Sequence, residues 1–468
     1  MKKDRPHPFI HAWKQADALS KASLLLPGAP YFRYGQFMRG ILAEVVQVGF
    51  WAFLLLGTLP YMMKLNTLGT VQYEDKFDPL TLTKTVNDYD NSLLILLIGI
   101  IGLVAILFFA IFLMMNLEAV VNVQEKVKKG GKAPTFREDL KSLINNRFHI
   151  TLLTLPAIGV LLVNILPILF MICIAFTNYD EDHQPPTYLF TWVGLENFKT
   201  LFTNSQTVTF GYAFIRILLW TLIWALLATF TTYYGGIFLA KFINDRRTHC
   251  KKLWRSLFVV TIAIPQFVTL LLVGKMFGDY GIVNSICAKI GLTHFLQEIG
   301  LVGAGLSYIP FLSKPGWVHV MVVLINIWVG VPFQMLSATG ILLNIPNDQL
   351  EAARIDGASE HQIFWKIIMP YVYFITGPSL ITTIIANINN FNVIYLLTSD
   401  YVTTNMAYAN SNAKEPDLLI TWLFNLTNNY SNYKMASVIG ICVFVISAVL
   451  TLVSFSRMIA DNREEDFQ

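Results

Sequence analysis

The sequence is poor in charge, because only 14% of its 468 residues are Asp, Glu, Lys or Arg, whereas soluble domains carry about 25%. It contains no CxxC pair and no Walker A motif, since Gly130-Gly131-Lys132-Ala133 lacks the required spacing and hydroxyl. Its first 39 residues are polar and basic, so no cleavable signal peptide is expected. Its cysteines are Cys173, Cys250, Cys287 and Cys442. These absences argue against a disulfide framework, a zinc site and an ATP site on this chain.

Hydrophobic residues make up 54% of the sequence and lie in long blocks. We count eight mostly apolar stretches of about 20 residues or more, each long enough to cross a hydrocarbon layer of about 30 Å. They cover residues 40–63, 92–115, 150–177, 212–240, 256–278, 316–343, 371–397 and 434–459. The sequence therefore predicts an all-α polytopic membrane protein with about eight transmembrane helices.

Basic residues alternate from loop to loop and predict the orientation. They cluster before the first stretch (Lys2, Lys3, Arg5, Lys14, Lys21, Arg33, Arg39), after the second (Lys126, Lys128, Lys129, Lys132, Arg137, Lys141, Arg147) and after the fourth (Lys241, Arg246, Arg247, Lys251, Lys252, Arg255). The loops between these clusters are acidic or sparsely charged. Because Lys and Arg accumulate on the cytoplasmic side, we expect both termini, and the 344–370 loop, to be cytoplasmic.

Residues 346–370 form a polar segment between two apolar stretches. The pattern is Glu351-Ala352-Ala353, three residues, Gly357, nine residues, and then Ile367-x-Met369-Pro370. Small alanines would let a helix lie deep in a groove on a partner. The alternative, an amphipathic loop on the bilayer, would require a Lys-rich polar face, which this segment lacks.

Local signals divide the segment into two short helices. Asn347 or Asp348 is expected to cap the first, and Ser359 with Gln362 has the spacing of a capping box that opens the second. Gly357 permits a sharp change of direction between them. Pro370 is expected to restart the chain at the next membrane helix.

The last four apolar stretches contain no Asp or Glu, which argues against an ion-driven carrier and against a charged cargo. Neutral hydrogen-bonding residues are abundant there, including Gln266, Thr269, Asn326, Asn387 and Asn390. A sugar offers hydroxyls to amides and apolar ring faces to aromatic side chains. The alternative is that these amides join helices to one another; for the pair Asn387 and Asn390 we favour a cavity.

The polar segment resembles the EAA loop of the membrane subunits of bacterial ABC importers. Three further segments, Trp192–Phe198, Asn326–Phe333 and Asn389–Phe391 followed by Leu396-Leu397-Thr398, are similar to MalF-type permease subunits of maltose/maltodextrin importers. The resemblance covers roughly residues 150–459. It departs at Ile262, where the enteric subunit has tyrosine, and in the loop after the third stretch, which lacks a large folded insertion.

The resemblance implies a six-helix type I importer core over residues 150–468, with the EAA loop at 346–370. Residues 1–149 would form a cytoplasmic tail and two accessory transmembrane helices. The implied sugar contacts lie near Asn326, Gly330, Phe333, Asn387 and Asn390, to which the residue pattern adds Gln266 and Thr269. The implied ATPase-coupling residues are Glu351, Ala352, Ala353, Gly357, Ile367 and Pro370.

The implied function is that of a permease subunit of an ATP-driven importer for maltose/maltodextrin-type oligosaccharides in the bacterial plasma membrane. Such a chain is not an enzyme and binds no cofactor, since ATP and Mg²⁺ belong to partner ATPases. The implied partners are a second, related permease, two ATPase subunits and an extracytoplasmic sugar-binding protein. The alternatives are an importer of another neutral sugar, such as a raffinose-type oligosaccharide, and an ion-coupled sugar carrier.

Overall fold

Helices dominate the computed structural model, which describes residues 8–78, 83–204, 209–245 and 247–465. Four basic residues used for the orientation, Lys2, Lys3, Arg5 and Arg246, lie outside these ranges. The chain folds as two compact units that divide between Gly194 and Leu195. The sequence predicts that the six-helix transport core begins at residue 150. The division between the compact units does not test that boundary, which stays a prediction.

The first unit contains three membrane-spanning segments. Its helices are α1 (Pro8–Gln15), α2 (Ala18–Ala22), α3 (Ala29–Arg33), α4 (Phe37–Ala52), α5 (Leu59–Met63), α6 (Ser92–Lys128), α7 (Phe136–Ile144), α8 (Phe148–Val160) and α9 (Leu166–Ile174). π-helical turns at Phe53–Thr58 and Leu161–Ile165 join α4 to α5 and α8 to α9. An antiparallel hairpin of β1 (Asp75–Asp78) and β2 (Thr83–Val86) follows the first span, with Asp75 opposite Val86.

Helix α6 is longer than a membrane requires. Its 37 residues extend about 55 Å, so its C-terminal part projects beyond the bilayer. Two buried amides on this part hold the N-terminal segment: Gln124 Oε1 accepts from Ser20 Oγ (2.7 Å) and Asn116 Oδ1 accepts from Tyr31 OH (3.0 Å). Each of these hydrogen bonds satisfies a buried amide oxygen and a buried hydroxyl, which would be costly to bury without a partner.

At the other end of α6, Asp90 organises the loop from the first span. Its carboxylate accepts from Lys64 Nζ (2.5 Å) and from the backbone N–H groups of Thr70 (2.9 Å) and Val71 (3.2 Å). Burial alone would raise the pKa of Asp90, but these donors and the Lys64 charge outweigh burial and lower it.

The second unit contains the remaining spans. Its helices are α10 (Glu196–Phe202), α11 (Phe210–Asn244), α12 (Lys251–Ala263), α13 (Gln266–Met276), α14 (Ile282–Lys289), α15 (Leu292–Glu298), α16 (Pro315–Leu343), α17 (Asn347–Ile355), α18 (Glu360–Ile363), α19 (Met369–Ile388), α20 (Phe391–Thr398), α21 (Met406–Ala409), α22 (Leu419–Asn428) and α23 (Tyr433–Glu465). Its core lies where α11, α13, α16 and α20 meet, around Trp224, Leu270, Val322 and Val393.

Helices α11 and α16 approach each other closely through small residues. A Cβ atom on Gly330 would lie 2.7 Å from Thr232 Cγ2, and one on Gly236 would lie 2.4 Å from Gln334 Cβ. These contacts set a parallel register in which each α16 residue lies level with the α11 residue about 98 positions earlier. Small residues allow such approach between helices in membranes, where packing is the main attraction.

Seven helical segments of the described residues are long and apolar enough to span a membrane, and a bent helix pair makes eight. The prediction of about eight transmembrane helices is thus confirmed, but the fifth, predicted as one stretch at 256–278, is broken. Helices α12 and α13 meet at 94°. The cause is Pro265, which lacks an N–H group and forces Ile264 into extended backbone (ψ 127°).

Candidate coupling segment and substrate pathway

The first half of the polar segment is α17, which begins at Asn347 directly after Pro346. The prediction that Asn347 or Asp348 caps this helix was wrong, because Pro346 is the capping residue and provides no side-chain hydrogen bond. Proline is tolerated there because the first amides of a helix have no intrahelical partner. The helix buries none of its side chains, and Ile355 is 86% exposed. Helix α17 therefore presents an uncovered apolar side chain.

Gly357 and the capping box divide the segment as predicted. Gly357 has φ +82°, with open space around its missing Cβ. The Gln362 N–H donates to Ser359 Oγ (3.3 Å) and the Ser359 N–H donates to Gln362 Oε1 (2.8 Å), so the predicted box is confirmed. Across the glycine, Arg354 Nε donates to Glu360 Oε1 (3.1 Å).

The second half of the segment enters the core of the unit. Phe364 is buried among Tyr233, Ile237 and Met335, and its ring stacks on Phe238 at 5.4 Å. A π-helical turn over Phe364–Ile368 connects α18 to α19. Pro370 lies in the first turn of α19, where the next membrane helix was expected to begin. The helix is nevertheless continuous from Glu360 through this residue, because the wider π turn lies before it.

Of the coupling residues predicted from the motif, Glu351 and Ala352 are exposed on α17, and Ala353 is half-buried beside them. Ile367 is half-buried in the π turn, whereas Pro370 is exposed. The segment thus has an uncovered outer half and an anchored inner half. The importance of Phe364 was missed in the sequence, where it reads as one apolar residue among several.

Helix α19 connects this anchored half to a set of polar side chains in the membrane, here called the polar layer: Thr229, Gln266, Asn326, Asn387 and Asn390. It is tied to α11 by a hydrogen bond between Tyr233 OH and Thr376 Oγ1 (2.7 Å). Near its far end, Asn387 Nδ2 donates to Thr229 Oγ1 of α11 (2.9 Å), and Asn390 Nδ2 donates to Asn387 Oδ1 (3.2 Å). Thr229 was missed as a partner; its only signal is its place among several threonines in α11.

Two half-helices begin at the depth of this layer. Helix α19 ends at Ile388, and Asn390 caps α20 by accepting from the Val393 N–H (3.3 Å). Helix α13 begins at Gln266 after the bend and runs parallel to α20, with Gly274 facing Leu396 and Lys275 Nζ 3.0 Å from Asp400 Oδ2. This register places Gln266 level with the α19–α20 break. The first N–H groups of both half-helices therefore face the same layer.

The other predicted sugar contacts differ in their burial and in their depth along the helices. Asn326 is 7% exposed, and the α11–α16 register places it level with Ala228, next to Thr229. Gln266 is exposed and Thr269 half-buried at the start of α13. Gly330 lies against Thr232 in the helix crossing, and Phe333 is 62% exposed two turns beyond Asn326. The polar layer thus includes all four amides predicted to contact sugar, together with Thr229.

Residues 232–461 match the family described as binding-protein-dependent transport system inner membrane component. The maltodextrin transport system permease protein MalC of Streptococcus pneumoniae is 31% identical over 451 residues, which cover 95% of this chain and 97% of MalC. The chain belongs to this permease family.

Two further relatives of this permease come from Bacillus subtilis. The maltodextrin permease MdxF is 31% identical over 451 residues, which cover 95% of this chain and 97% of MdxF. The galactooligosaccharide permease GanP is 29% identical over 443 residues, which cover 91% of this chain and 94% of GanP. These relatives confirm the resemblance to maltodextrin permeases and the prediction that the chain is a transport component and not an enzyme. The family description also supports a component of a binding-protein-dependent transport system in the inner membrane, and the candidate spans make it a multi-span protein.

The permease also has a cavity of about 490 Å³ where α13 ends, on the membrane side opposite to α17. Lys275, Asp279, Tyr280 and Asp400 line it, and none of the predicted sugar contacts does. Asp279 Oδ1 accepts from Ser313 Oγ (2.7 Å). The hydrogen bond and charge of Lys275 lower the pKa of Asp400. This cavity, called the vestibule below, is separate from the polar layer.

Proposed function

We propose that the chain is a permease subunit that forms half of the translocation pathway of an ATP-driven importer for maltose/maltodextrin-type oligosaccharides. The observation that carries this proposal is the unbroken α19, which joins the anchored Phe364 turn to Asn387 in the polar layer. One continuous helix, with Pro378 in its interior, therefore connects the surface where a partner would act to the residues that would face the cargo.

The chemistry of the polar layer supports a neutral, hydroxylated cargo. Its side chains are amides and a hydroxyl, and no Asp or Glu occurs in the last four apolar stretches of the sequence. Amides both donate and accept, so Asn387 and Asn390 can exchange their mutual hydrogen bond for bonds to sugar hydroxyls. Gln266, Thr269 and Asn326 would add contacts at this depth. Phe333 would lie further along the path toward the coupling side, and Gly330 would let α16 pass close to α11.

The coupling segment supports docking on an ATPase. Its uncovered half carries Ile355, with Glu351, Ala352 and Ala353 on the same short helix. Gly357 sets the angle to the anchored half, where Ile367 and Pro370 lead into α19. Force on α17 would reach α19 through Phe364 and shift Asn387 against Thr229, which opens or closes the polar layer.

The proposed assembly contains this chain, a second and related permease, two ATPase subunits that bind ATP and Mg²⁺, and an extracytoplasmic sugar-binding protein. Both termini and α17 would face the cytoplasm, as the Lys and Arg distribution predicts. The vestibule at Tyr280 would then face the binding protein, and sugar would enter the layer from that side.

The second candidate cargo is another neutral oligosaccharide, which the similarity of GanP favours. The test is ATP-driven uptake by the full reconstituted complex, with maltotriose, a galactooligosaccharide and raffinose as competing substrates. Preference for maltotriose supports the main proposal, and preference for another sugar replaces it. Uptake driven by an ion gradient without the ATPase would refute the importer mechanism.

A further inference from the structure

Helix α7 lies between the second and third spans and is fixed at the level where two spans enter the membrane. Near its start, Gln36 Nε2 donates to Pro134 O (2.5 Å), and Arg39 NH1 pairs with Asp139 Oδ2 (3.4 Å). Arg39 belongs to the first turn of α4, where the first span begins. This end of α7 is therefore held at the membrane boundary.

The other end of α7 is held at the start of the third span. Thr151 Oγ1, in the first turns of α8, donates to Leu143 O (2.9 Å), and the Arg147 N–H donates to Ser142 O (2.7 Å). A helix fixed at both ends to the entry points of spans must run along the bilayer surface. It cannot project into the aqueous phase.

One face of α7 is apolar and uncovered. Phe136, Leu140, Leu143 and Ile144 follow helical spacing and are 43%, 50%, 38% and 66% exposed. Four large side chains exposed together on one helix of nine residues are typical of a surface that another phase covers. At this position that phase is the bilayer.

The cations of the segment complement anionic headgroups. Lys132, Arg137, Lys141 and Arg147 are all exposed. The two carboxylates of α7 are already engaged: Glu138 Oε2 accepts from the Thr135 N–H (2.8 Å) in a capping box, and Asp139 pairs with Arg39. Glu138 keeps its charge near Lys141, but the four cations outnumber it, so the segment remains net positive.

We propose that α7 is an interfacial helix that inserts Phe136, Leu140, Leu143 and Ile144 into the membrane and binds anionic phospholipid headgroups through Lys132, Arg137, Lys141 and Arg147. The helix thereby makes the first unit selective for anionic lipid. This function is independent of the cargo and of the coupling segment.

The first test measures depth in the full complex, in nanodiscs of phosphatidylcholine with about one quarter phosphatidylglycerol. A nitroxide is attached at Leu140→Cys, or at Arg137→Cys as the matched control, after the four native cysteines are replaced by alanine. We expect position 140 to be more accessible to oxygen than to a water-soluble nickel chelate, and position 137 to show the reverse. A water-exposed position 140, or its crosslinking to an ATPase subunit, overturns the proposal.

The second test measures headgroup preference by mass spectrometry of lipids retained by the purified complex. The triple variant Lys132→Gln, Arg137→Gln, Lys141→Gln removes three cations from the segment. Its control, Lys199→Gln, Lys289→Gln, Lys314→Gln, removes three exposed lysines from loops that the order of spans predicts to lie on the opposite side of the membrane. Each cation contributes about fivefold to anionic-lipid preference. We expect the first variant to lose its phosphatidylglycerol enrichment and the control to keep it; equal enrichment in both overturns the proposal.

Discussion

Arg354 and Glu360 form an ion pair across Gly357, with Nε and Oε1 3.1 Å apart and both side chains exposed. The pair bridges the uncovered and anchored halves of the coupling segment. Exposed ion pairs contribute at most about 1 kcal/mol, so a docking partner can replace this one at little cost. The angle between the halves then depends on the backbone of Gly357.

Substitution of Gly357 by proline tests this hinge. Proline requires φ near −65°, whereas Gly357 has φ +82°, so Gly357→Pro must change the angle between α17 and α18. We expect ATP-driven uptake to fall at least about tenfold while the protein remains in the membrane. Gly357→Ala is the matched control, because open space surrounds this position and the strain is only about 1–2 kcal/mol. Unaltered uptake by the proline variant would refute the hinge role.

Ile355 is expected to dominate docking of the ATPase. Because it is 86% exposed, Ile355→Ser removes no internal packing, but it removes apolar area that a partner would bury, worth about 1.5–3 kcal/mol. We predict at least about a tenfold weaker association with the ATPase subunits in a titration, with an unchanged melting temperature of the permease. Val402→Ser, at a residue 75% exposed in the loop after α20, is the control and should leave association intact. Equal association of both variants would contradict the prediction.

Asn390 has two separable roles. Its Oδ1 caps α20 through the Val393 N–H, and its Nδ2 donates to Asn387. Asn390→Leu removes both and should lower stability by about 1 kcal/mol and weaken sugar-dependent uptake. Asn390→Ser keeps a capping oxygen but loses the amide, so it should restore stability without restoring uptake. Normal uptake kinetics in the serine variant would show that the amide does not contact sugar.

Local features of this fold were predictable and tertiary ones were not. The capping box of Ser359 and Gln362 follows from spacing along the chain, because both partners lie within one helical turn. The bend at Pro265 was missed, since a proline in an apolar run is compatible with both a kinked and a broken span. The bond from Asn387 to Thr229 joins residues 158 positions apart, and nothing in either local sequence identifies the partner.

The loop that precedes α22 contains a buried carboxyl group whose ionisation should make stability depend on pH. Asp417 lies outside the spans and is 2% exposed. Its oxygens accept from the Lys414 N–H (2.8 Å) and from Thr421 Oγ1 (2.9 Å). Burial raises the pKa of Asp417 from 3.8 to about 6, although these donors oppose the shift.

Because the pKa is higher in the folded state, the folded protein binds the proton more tightly than the unfolded chain. The contribution of this proton to the free energy of unfolding is complete below about pH 4. It falls as the pH rises and is lost above about pH 6, a total change of about 3 kcal/mol. We predict that Asp417→Asn reduces the difference between melting temperatures measured near pH 5 and near pH 7.5. Asp400→Asn is the control, since Lys275 lowers the pKa of Asp400 and its contribution changes only at lower pH. An equal pH dependence in wild type and Asp417→Asn would mean that the carboxyl does not titrate in this range.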